Sequence, residues 1–356
     1  MDIKPTKIAV LCNYELLPER VGGMDYFFWM FNKKCIENSI EIDWFLPNKS
    51  NHGNYHNLKI IESNYDNVEH FFCDYIKNKP QNYTHIITHF VEICSPIFKK
   101  IKSFSNAKIS AVDHNPRPIN GYSFLKIIEK KIKGMLYSRY IDTFIGVSNY
   151  SKNQLIKEFG FQLKNKTKVI FNGLDYTQFK QKSTFNTNSN FIIACHLRKD
   201  KGIQDVILAV KNINLPFTIT IYGTGNYEPE LKKMIAQYNL NDRFIFKGSV
   251  ANLQDIYCNY DYLIHPSHGE TFCYTVVESL LCNLPVITNN QGNVLGLIKN
   301  NRNGFLYQDK NIKALENSIN NILSNTFKIE NGLHKEPKVL DLSLEKMVNN
   351  YITLLQ

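Results

Sequence analysis

The chain has 356 residues, 43% of them hydrophobic and 13% aromatic, enough apolar side chain for the cores of two domains and too much for a disordered chain. Its formal charge of +10 is uneven: residues 1–176 hold 24 Lys and Arg against 17 Asp and Glu (+7), and the rest hold 18 against 15 (+3). That excess asks for an anionic partner (nucleic acid, an anionic membrane face or a phosphorylated substrate), although a Lys- and Asn-rich composition alone would also produce it.

No apolar run reaches the roughly 18 residues of a membrane span, and MDIKPTKIAVLCNYE enters a strand too early for a signal peptide, so a cytoplasmic protein is expected. The eight cysteines form no CxxC pair and mostly lie in apolar segments, which points to reduced, buried thiols rather than disulfides or zinc ligands.

In chain order, Lys7–Asn13 is a near-continuous apolar run, the pattern of a parallel strand buried on both faces. Gly22 and Gly23 follow it, at the start of a helix running to about Asn38, and allow close approach of a phosphate or simply close a loop. Strand signals recur at 41–46, 58–61, 85–88, 108–112 and 143–147 with helical stretches between most of them, which predicts a parallel sheet covered by helices. His114, in Ala111-Val-Asp-His-Asn-Pro-Arg-Pro118, lies two residues past a strand end, where packing is poor and ligands bind. It is a candidate functional residue, with His89 and Asp113 as weaker ones.

Residues 124–141 read as a basic amphipathic helix, with Leu125, Ile128, Ile132, Met135 and Leu136 on one side and Lys126, Lys130, Lys131, Lys133 and Arg139 mostly elsewhere. An ordinary covering helix with a solvated face is the favoured expectation, and peripheral binding to anionic lipid is the alternative. Val169-Ile-Phe-Asn-Gly-Leu-Asp175 then runs into a turn, and 180–190 has the composition of a linker.

The second half begins with a strand at 191–196 and the turn Leu197-Arg-Lys-Asp-Lys-Gly202, where Arg198, Lys199 and Lys201 are placed as counter-charges for a diphosphate. A helix from Ile203 to about Ile213, a strand at 218–222, Gly223-Thr-Gly225, a helix at 229–238 and a strand at 244–248 follow. Then comes YLIHPSHGETFCYTVVESLLCNLPVITNNQG, residues 262–292. A buried strand at 262–265 ends in a loop, a helix that Thr275 can cap carries Val276, Val277, Leu280 and Leu281, and Asn283 and Pro285 stop it before a strand at 286–288. Glu270 falls in the loop and Glu278 on the helix. The first turn, Phe272 to Thr275, offers unpaired N–H groups and a positive dipole end to a phosphate. Acids beside an anion site make sense where they accept hydrogen bonds from sugar hydroxyls on the same ligand.

This stretch resembles the donor-binding core of retaining glycosyltransferases of family four (glycosyl transferases group 1), in which Pro-Ser, a Glu, seven residues, a second Glu and Pro-Val recur. The resemblance spans nearly the whole chain: Gly22-Gly23, Val169-Ile-x-Asn-Gly-x-Asp175, Lys201-Gly202, Asn303-Gly-Phe-Leu and a terminal helix at 342–355 all have counterparts. It implies α/β architecture with two Rossmann-like doubly wound domains facing across a cleft (GT-B). The expected parts are an acceptor-binding domain over 1–176, a nucleotide-sugar-binding domain over 177–340, and a terminal helix at 341–356 returning to the first.

By the same resemblance Glu270 contacts the transferred sugar, Glu278 holds the ribose, and His114 supports the transferring centre. Gly22, Gly23, Arg198, Lys201 and residues Thr271, Phe272, Cys273, Tyr274 and Thr275 bind the diphosphate side of the donor, and Val250 lies near the base. The family's usual Arg before Lys-Gly is His196 here, with Arg198 as its replacement. Gly292 stands where Gly-Gly is usual, and the acid that normally follows is absent.

The implied activity is retaining transfer from a nucleotide-diphosphate sugar to a hydroxyl of a glycan or lipid-linked glycan in surface polysaccharide synthesis. No obligatory cofactor, no metal and no nucleic-acid partner are expected, and an anionic membrane surface is a possible partner. A sugar-nucleotide epimerase of the same architecture, or a non-enzymatic basic nucleic-acid- or membrane-binding protein, are the alternative readings.

Overall fold

The computed structural model describes residues 6–183, 189–324 and 333–356. They form two compact units: unit 1 comprises Met1–Pro116, Asn120–Gly173 and Leu344–Gln356, and unit 2 comprises Arg117–Ile119 and Leu174–Ser343.

Unit 1 runs β1 (Lys7–Cys12), α1 (Gly23–Glu37), β2 (Glu41–Leu46), β3 (Ile60–Glu62), α2 (Val68–Asn78), β4 (His85–His89), α3 (Ile97–Phe104), β5 (Lys108–Asp113), α4 (Phe124–Tyr137), β6 (Thr143–Gly146), α5 (Asn149–Phe159) and β7 (Thr167–Val169). The strands make one parallel sheet in the order β3-β2-β1-β4-β5-β6-β7. From Ile8 to Cys12 β1 is wholly buried, which is why it reads as unbroken apolar sequence. The third strand starts later than expected because a short turn at Tyr55–Asn57 takes the Leu58 N–H for the Tyr55 carbonyl. Conversely β4 and β5 run on to His89 and Asp113, paired in the ladders through His89–Val112 and Asp113–Gly146. The terminal helix Leu344–Thr353 lays Tyr351 against Phe27 and Phe31 of α1, with ring centroids 4.8 and 5.8 Å apart.

Helix α4 does not cover the sheet with its apolar side. Phe124, Leu125, Ile128, Ile132, Met135 and Leu136 are all exposed, and Gly134 is the buried residue of the helix. Hydrophobic spacing showed that one side was apolar, but which side faces the protein is set by Gly134. A Cβ there would lie 1.8 Å from the Phe159 carbonyl oxygen, so the helix rests on α5 through the glycine.

Unit 2 runs β8 (Asn190–Ala194), α6 (Ile203–Val210), β9 (Thr218–Tyr222), α7 (Glu228–Gln237), β10 (Phe244–Gly248), α8 (Leu253–Ile256), β11 (Tyr262–His265), α9 (Tyr274–Leu281), β12 (Val286–Asn289), β13 (Gly304–Tyr307) and α10 (Ile312–Leu323). Its parallel sheet has the order β10-β9-β8-β11-β12-β13. Part of the expected linker is built into this unit. Lys182 is buried, pairs with Asp261 at 2.9 Å and also donates to the Tyr260 carbonyl, while its own carbonyl accepts from Asn283; residues 184–188 lie outside the described residues.

In each sheet the strand order reverses once, between β1 and β4 and between β8 and β11. Neighbouring loops diverge at such a point, so the carboxyl ends of those strands open a crevice where ligands of doubly wound sheets bind.

Candidate functional site

In unit 2 the loops after β8 and β11 leave the sheet on either side of its reversal point and clasp each other. Gly202 has φ +73°, and a Cβ on it would sit 2.1 Å from the Pro266 carbonyl oxygen. The His268 N–H donates to the Asp200 carbonyl at 2.9 Å, and its ring is held by Asp309 (2.6 Å to Nδ1), with Asp205 3.6 Å from Nε2. This clasp brings Lys201 and Glu270 together across 69 positions of sequence, Nζ to Oε1 at 2.6 Å. Gly202→Ala is therefore expected to destabilise the protein by about 2 kcal/mol or more, through backbone strain and the blocked approach. Thermal melts of the variant check this.

The Lys201 and Glu270 side chains are only 14% and 15% exposed. Burial alone would raise the Glu270 carboxyl, but the His265 imidazole, with Nε2 3.3 Å from Oε1, and the Lys201 ammonium outweigh it and hold Glu270 well below the usual carboxylate range. Lys201 is desolvated, which favours its neutral form, yet Glu270 raises it above the ordinary lysine value. The pair is thus a buried, ionised couple at the carboxyl ends of the central strands. His265 escaped the sequence reading because it was counted with an apolar strand; its place at a strand terminus was the available signal.

Glu278 lies on α9. Burial pushes its carboxyl up to about 7, and the Tyr257 hydroxyl, donating to Oε2 at 2.9 Å, offsets this only in part. Among the described residues no cation is paired with Glu278, in contrast with Glu270. Two carboxylates eight positions apart are therefore tuned in opposite directions. Tyr257 carried no sequence signal, since it sits in a short turn 21 residues upstream.

The start of α9 differs from expectation. Thr275 does not cap the helix; the N-cap is Cys273, at φ +71°, and Thr275 lies inside the first turn with its hydroxyl 3.2 Å from His265 Nδ1. Cys273 can hold this left-handed conformation because its thiol is buried against the Gly292 carbonyl, with Sγ to O at 2.6 Å. Gly292 is packed in turn, since a Cβ would meet Thr288 Oγ1 at 2.3 Å. Phe272 is buried beside Cys273, whereas Thr271, Tyr274 and Thr275 keep partial exposure.

Arg198 is exposed and forms a two-pronged pair with Asp200 (3.0 and 2.8 Å), and His196 is also exposed. Val250 is half-buried, two residues past Gly248 at the end of β10. Gly223 and Gly225 serve close packing, as a Cβ on them would meet the Cys195 and Leu197 carbonyl oxygens at 1.9 and 2.3 Å.

In unit 1 His114 is not the poorly packed loop residue that its flanking prolines suggested. It is buried, stacks on Phe90 with centroids 4.4 Å apart, and its Nε2 lies 2.9 Å from Nδ1 of His89, so one imidazole donates to the other. Burial lowers both rings, His114 to about 3, and His114 further depresses His89, so each is neutral at pH 7. Phe90 adopts φ +58° in making this stack, a strain of order 1–3 kcal/mol that the surrounding packing must hold. Gly22 is the N-cap of α1, and its N–H is taken by the Asp25 carboxylate at 2.8 Å. Asp25 also accepts from the Tyr14 and Tyr55 hydroxyls, so a buried negative charge already answers the positive end of that helix. Gly23 begins the helix. Among the described residues no group of three His, Cys, Asp or Glu is arranged to hold a metal ion.

The comparison with known families falls on the unit that holds Lys201, Glu270 and Glu278. Residues 175–337, nearly all of unit 2, match the family model described as Glycosyl transferases group 1. Over that stretch the chain is similar to the group 1 glycosyl transferases.

Its relatives include an uncharacterized glycosyltransferase of Methanocaldococcus jannaschii, 26% identical over 56% of this chain and 56% of that protein. Another is the capsular polysaccharide biosynthesis glycosyltransferase CapM of Staphylococcus aureus, 25% identical over 50% and 48%. The chain spans about half the length of the curated relatives it matches. Among solved structures, Anabaena HepE in complex with UDP superposes with a TM-score of 0.77 at 18% identity, over 98% of this chain and 99% of that one. Sucrose-phosphate synthase from Thermosynechococcus elongatus gives the same TM-score at 16% identity, over 98% of each chain. At these identities the likeness is one of fold. It makes the chain an α/β protein of two Rossmann-like units, with the fold of the GT-B class.

Proposed function

We propose that this chain transfers a sugar, with retention at the anomeric carbon, from a nucleoside-diphosphate sugar to a hydroxyl of a glycan or lipid-linked glycan acceptor. The observation that carries the proposal is the ionised, desolvated Lys201–Glu270 pair at the reversal point of the second sheet, with the elevated carboxyl of Glu278 on the helix that follows. A site that only packed would bury apolar groups there instead.

In the reaction the bond from the anomeric carbon to the diphosphate breaks, a bond to the acceptor oxygen forms, and the acceptor proton balances the departing diphosphate. Lys201, poised at its carboxylate partner, shifts toward the diphosphate as charge builds there, which is where preorganised electrostatics contribute most. Glu270 then turns to the sugar hydroxyls, Glu278 accepts from the ribose, and the first turn of α9 receives a phosphate. His114 takes the role that the family resemblance assigns, as a neutral hydrogen-bonding imidazole at the transferring centre rather than a cation.

Support for the donor class comes from the UDP held by HepE. For the acceptor it comes from relatives such as CapM and a Campylobacter jejuni enzyme whose name specifies a diphospho-undecaprenol acceptor. Incubating the protein with UDP-sugars and a panel of lipid-diphosphate-linked saccharides, with the product's anomeric configuration read by NMR, tests the proposal. An α-linked product from an α-linked donor is expected. An inverted product removes the stereochemical assignment, and conversion of the sugar nucleotide with no acceptor present favours an epimerase.

A further inference from the structure

Strand β12 is apolar through Val286 and Ile287 and then ends in Thr288 and Asn289, and Asn289 is only 1% exposed. Asparagine is a poor strand residue and is seldom buried, so at the carboxyl end of an interior strand each of its polar atoms needs a partner. All of them have one. Asn289 Oδ1 accepts from the Gln291 and Gly292 N–H groups at 2.9 and 2.7 Å, and Nδ2 donates to the Pro266 carbonyl at 3.2 Å and to Asp309 Oδ1 at 3.1 Å. The two hydrogens and two lone pairs of the amide are thus filled, and a flipped amide would fail at all four contacts. An asparagine that merely closed its own turn would use the oxygen alone, whereas this nitrogen reaches two other loops.

Each contact leads to the candidate site. On the nitrogen side, the Pro266 carbonyl is also the group against which Gly202 packs, and Asp309 Oδ1 also holds His268 Nδ1 at 2.6 Å. The loop leading to Glu270 is therefore braced at Pro266 and at His268. On the oxygen side, the Gly292 carbonyl accepts from the Cys273 thiol at 2.6 Å, and Cys273 is the N-cap of α9. We propose that Asn289 is a positioning residue that sets the Lys201–Glu270 pair in register with the first turn of α9, holding the pair's loop through Nδ2 and the turn through Oδ1. Its role in transfer rests on the reading of that pair and turn as the donor site, whereas the bracing of the pair stands without it.

Two readouts keep these apart. The groups that face Glu270 are Lys201 from the loop after β8 and His265 from β11, and the Cys195 and Cys273 thiols lie close enough to feel its charge. Releasing the loop weakens this pairing, so Glu270 returns toward the ordinary carboxylate range and the stability that it loses in acid shrinks. In thermal melts of the full chain from neutral to acid pH, Asn289→Ala should lie below the wild type at neutrality and converge on it in acid. A residue that only packed would lower the melting temperature equally throughout. Calorimetry with UDP reads the other arm. Asn289→Ala should bind UDP about tenfold more weakly, the worth of one or two neutral hydrogen bonds. Asn289→Ser, the milder change, keeps an oxygen for the turn but cannot reach Pro266 or Asp309; it should bind UDP within about threefold of wild type and still converge in acid. Converging melts together with no UDP binding by the wild type would support the brace and remove the donor reading. Melts of both variants that run parallel to the wild type, or UDP affinity unchanged in Asn289→Ala, would overturn the proposal.

Discussion

Glu270→Ala is expected to destabilise the protein by about 3–5 kcal/mol, the usual consequence of deleting one partner of a buried ion pair and stranding the other. Lys201 would keep its desolvated ammonium with no carboxylate at 2.6 Å, and His265 would lose the neighbour at 3.3 Å. Replacing both partners, as Lys201→Met with Glu270→Met, should recover most of that stability, because apolar groups of similar volume avoid the desolvation cost. Transfer activity should respond differently. Both the single and the double variant should lose roughly a hundredfold or more in kcat if the pair orients sugar and diphosphate. A double variant that regained stability and activity together would reduce the pair to scaffold. The sign with pH follows from the depressed Glu270 carboxyl. Its contribution is present above the ordinary carboxylate range and is lost as pH falls through the lowered folded value, so acid melts of wild type should steepen where those of the double Met variant do not.

Glu278 is expected to produce two opposite pH slopes. Its folded carboxyl is raised to about 7 from an unfolded value near 4.5, so its favourable linkage is complete below the unfolded value and is lost as pH rises through 7. Relative to Glu278→Gln, the wild type should therefore lose about 2 kcal/mol of stability between pH 5 and 8, a figure that already discounts the full shift for partial exposure. Donor binding should move the other way. Ribose hydroxyls donate to a carboxylate more strongly than to a carboxylic acid, so affinity should rise toward pH 8 and fall up to tenfold per unit below 7. Both slopes should flatten in Glu278→Gln. Tyr257→Phe, by removing the donor to Oε2, should displace both midpoints to higher pH. Parallel slopes for stability and binding would contradict the assignment of Glu278 to the ribose.

Much of this was legible in the sequence because the relevant physics is local. Strands buried on both faces cannot hide their composition, and β1, β2 and β9 were placed to within a residue on that ground. Glu270 and Glu278 could be placed on a loop and a helix by the apolar runs that bracket them. What the sequence could not carry were the contacts made at a distance. The Lys201–Glu270 pair depends on two loops flanking the reversal of strand order, and Tyr257 reaches Glu278 from a turn with no pattern of its own. The stacking of His114 on Phe90 rests on a positive φ that nothing in Phe90 announces. Helix α4 shows the same limit in another form. Periodicity located its apolar side, but Gly134 decided that this side faces outward.

The most direct test of the central claim, that unit 2 grips a nucleoside diphosphate through the α9 turn and Glu278, is titration calorimetry with UDP and UDP-sugars. Wild type and Glu278→Ala would be compared at pH 8, where the carboxyl is ionised. Saturable one-site binding by the wild type is predicted, weakened about thirtyfold or more in the variant, which corresponds to about 2–4 kcal/mol for lost hydrogen bonds to a charged group. Equal affinity of the two proteins, or no binding of any nucleoside diphosphate by the folded wild type, would contradict it.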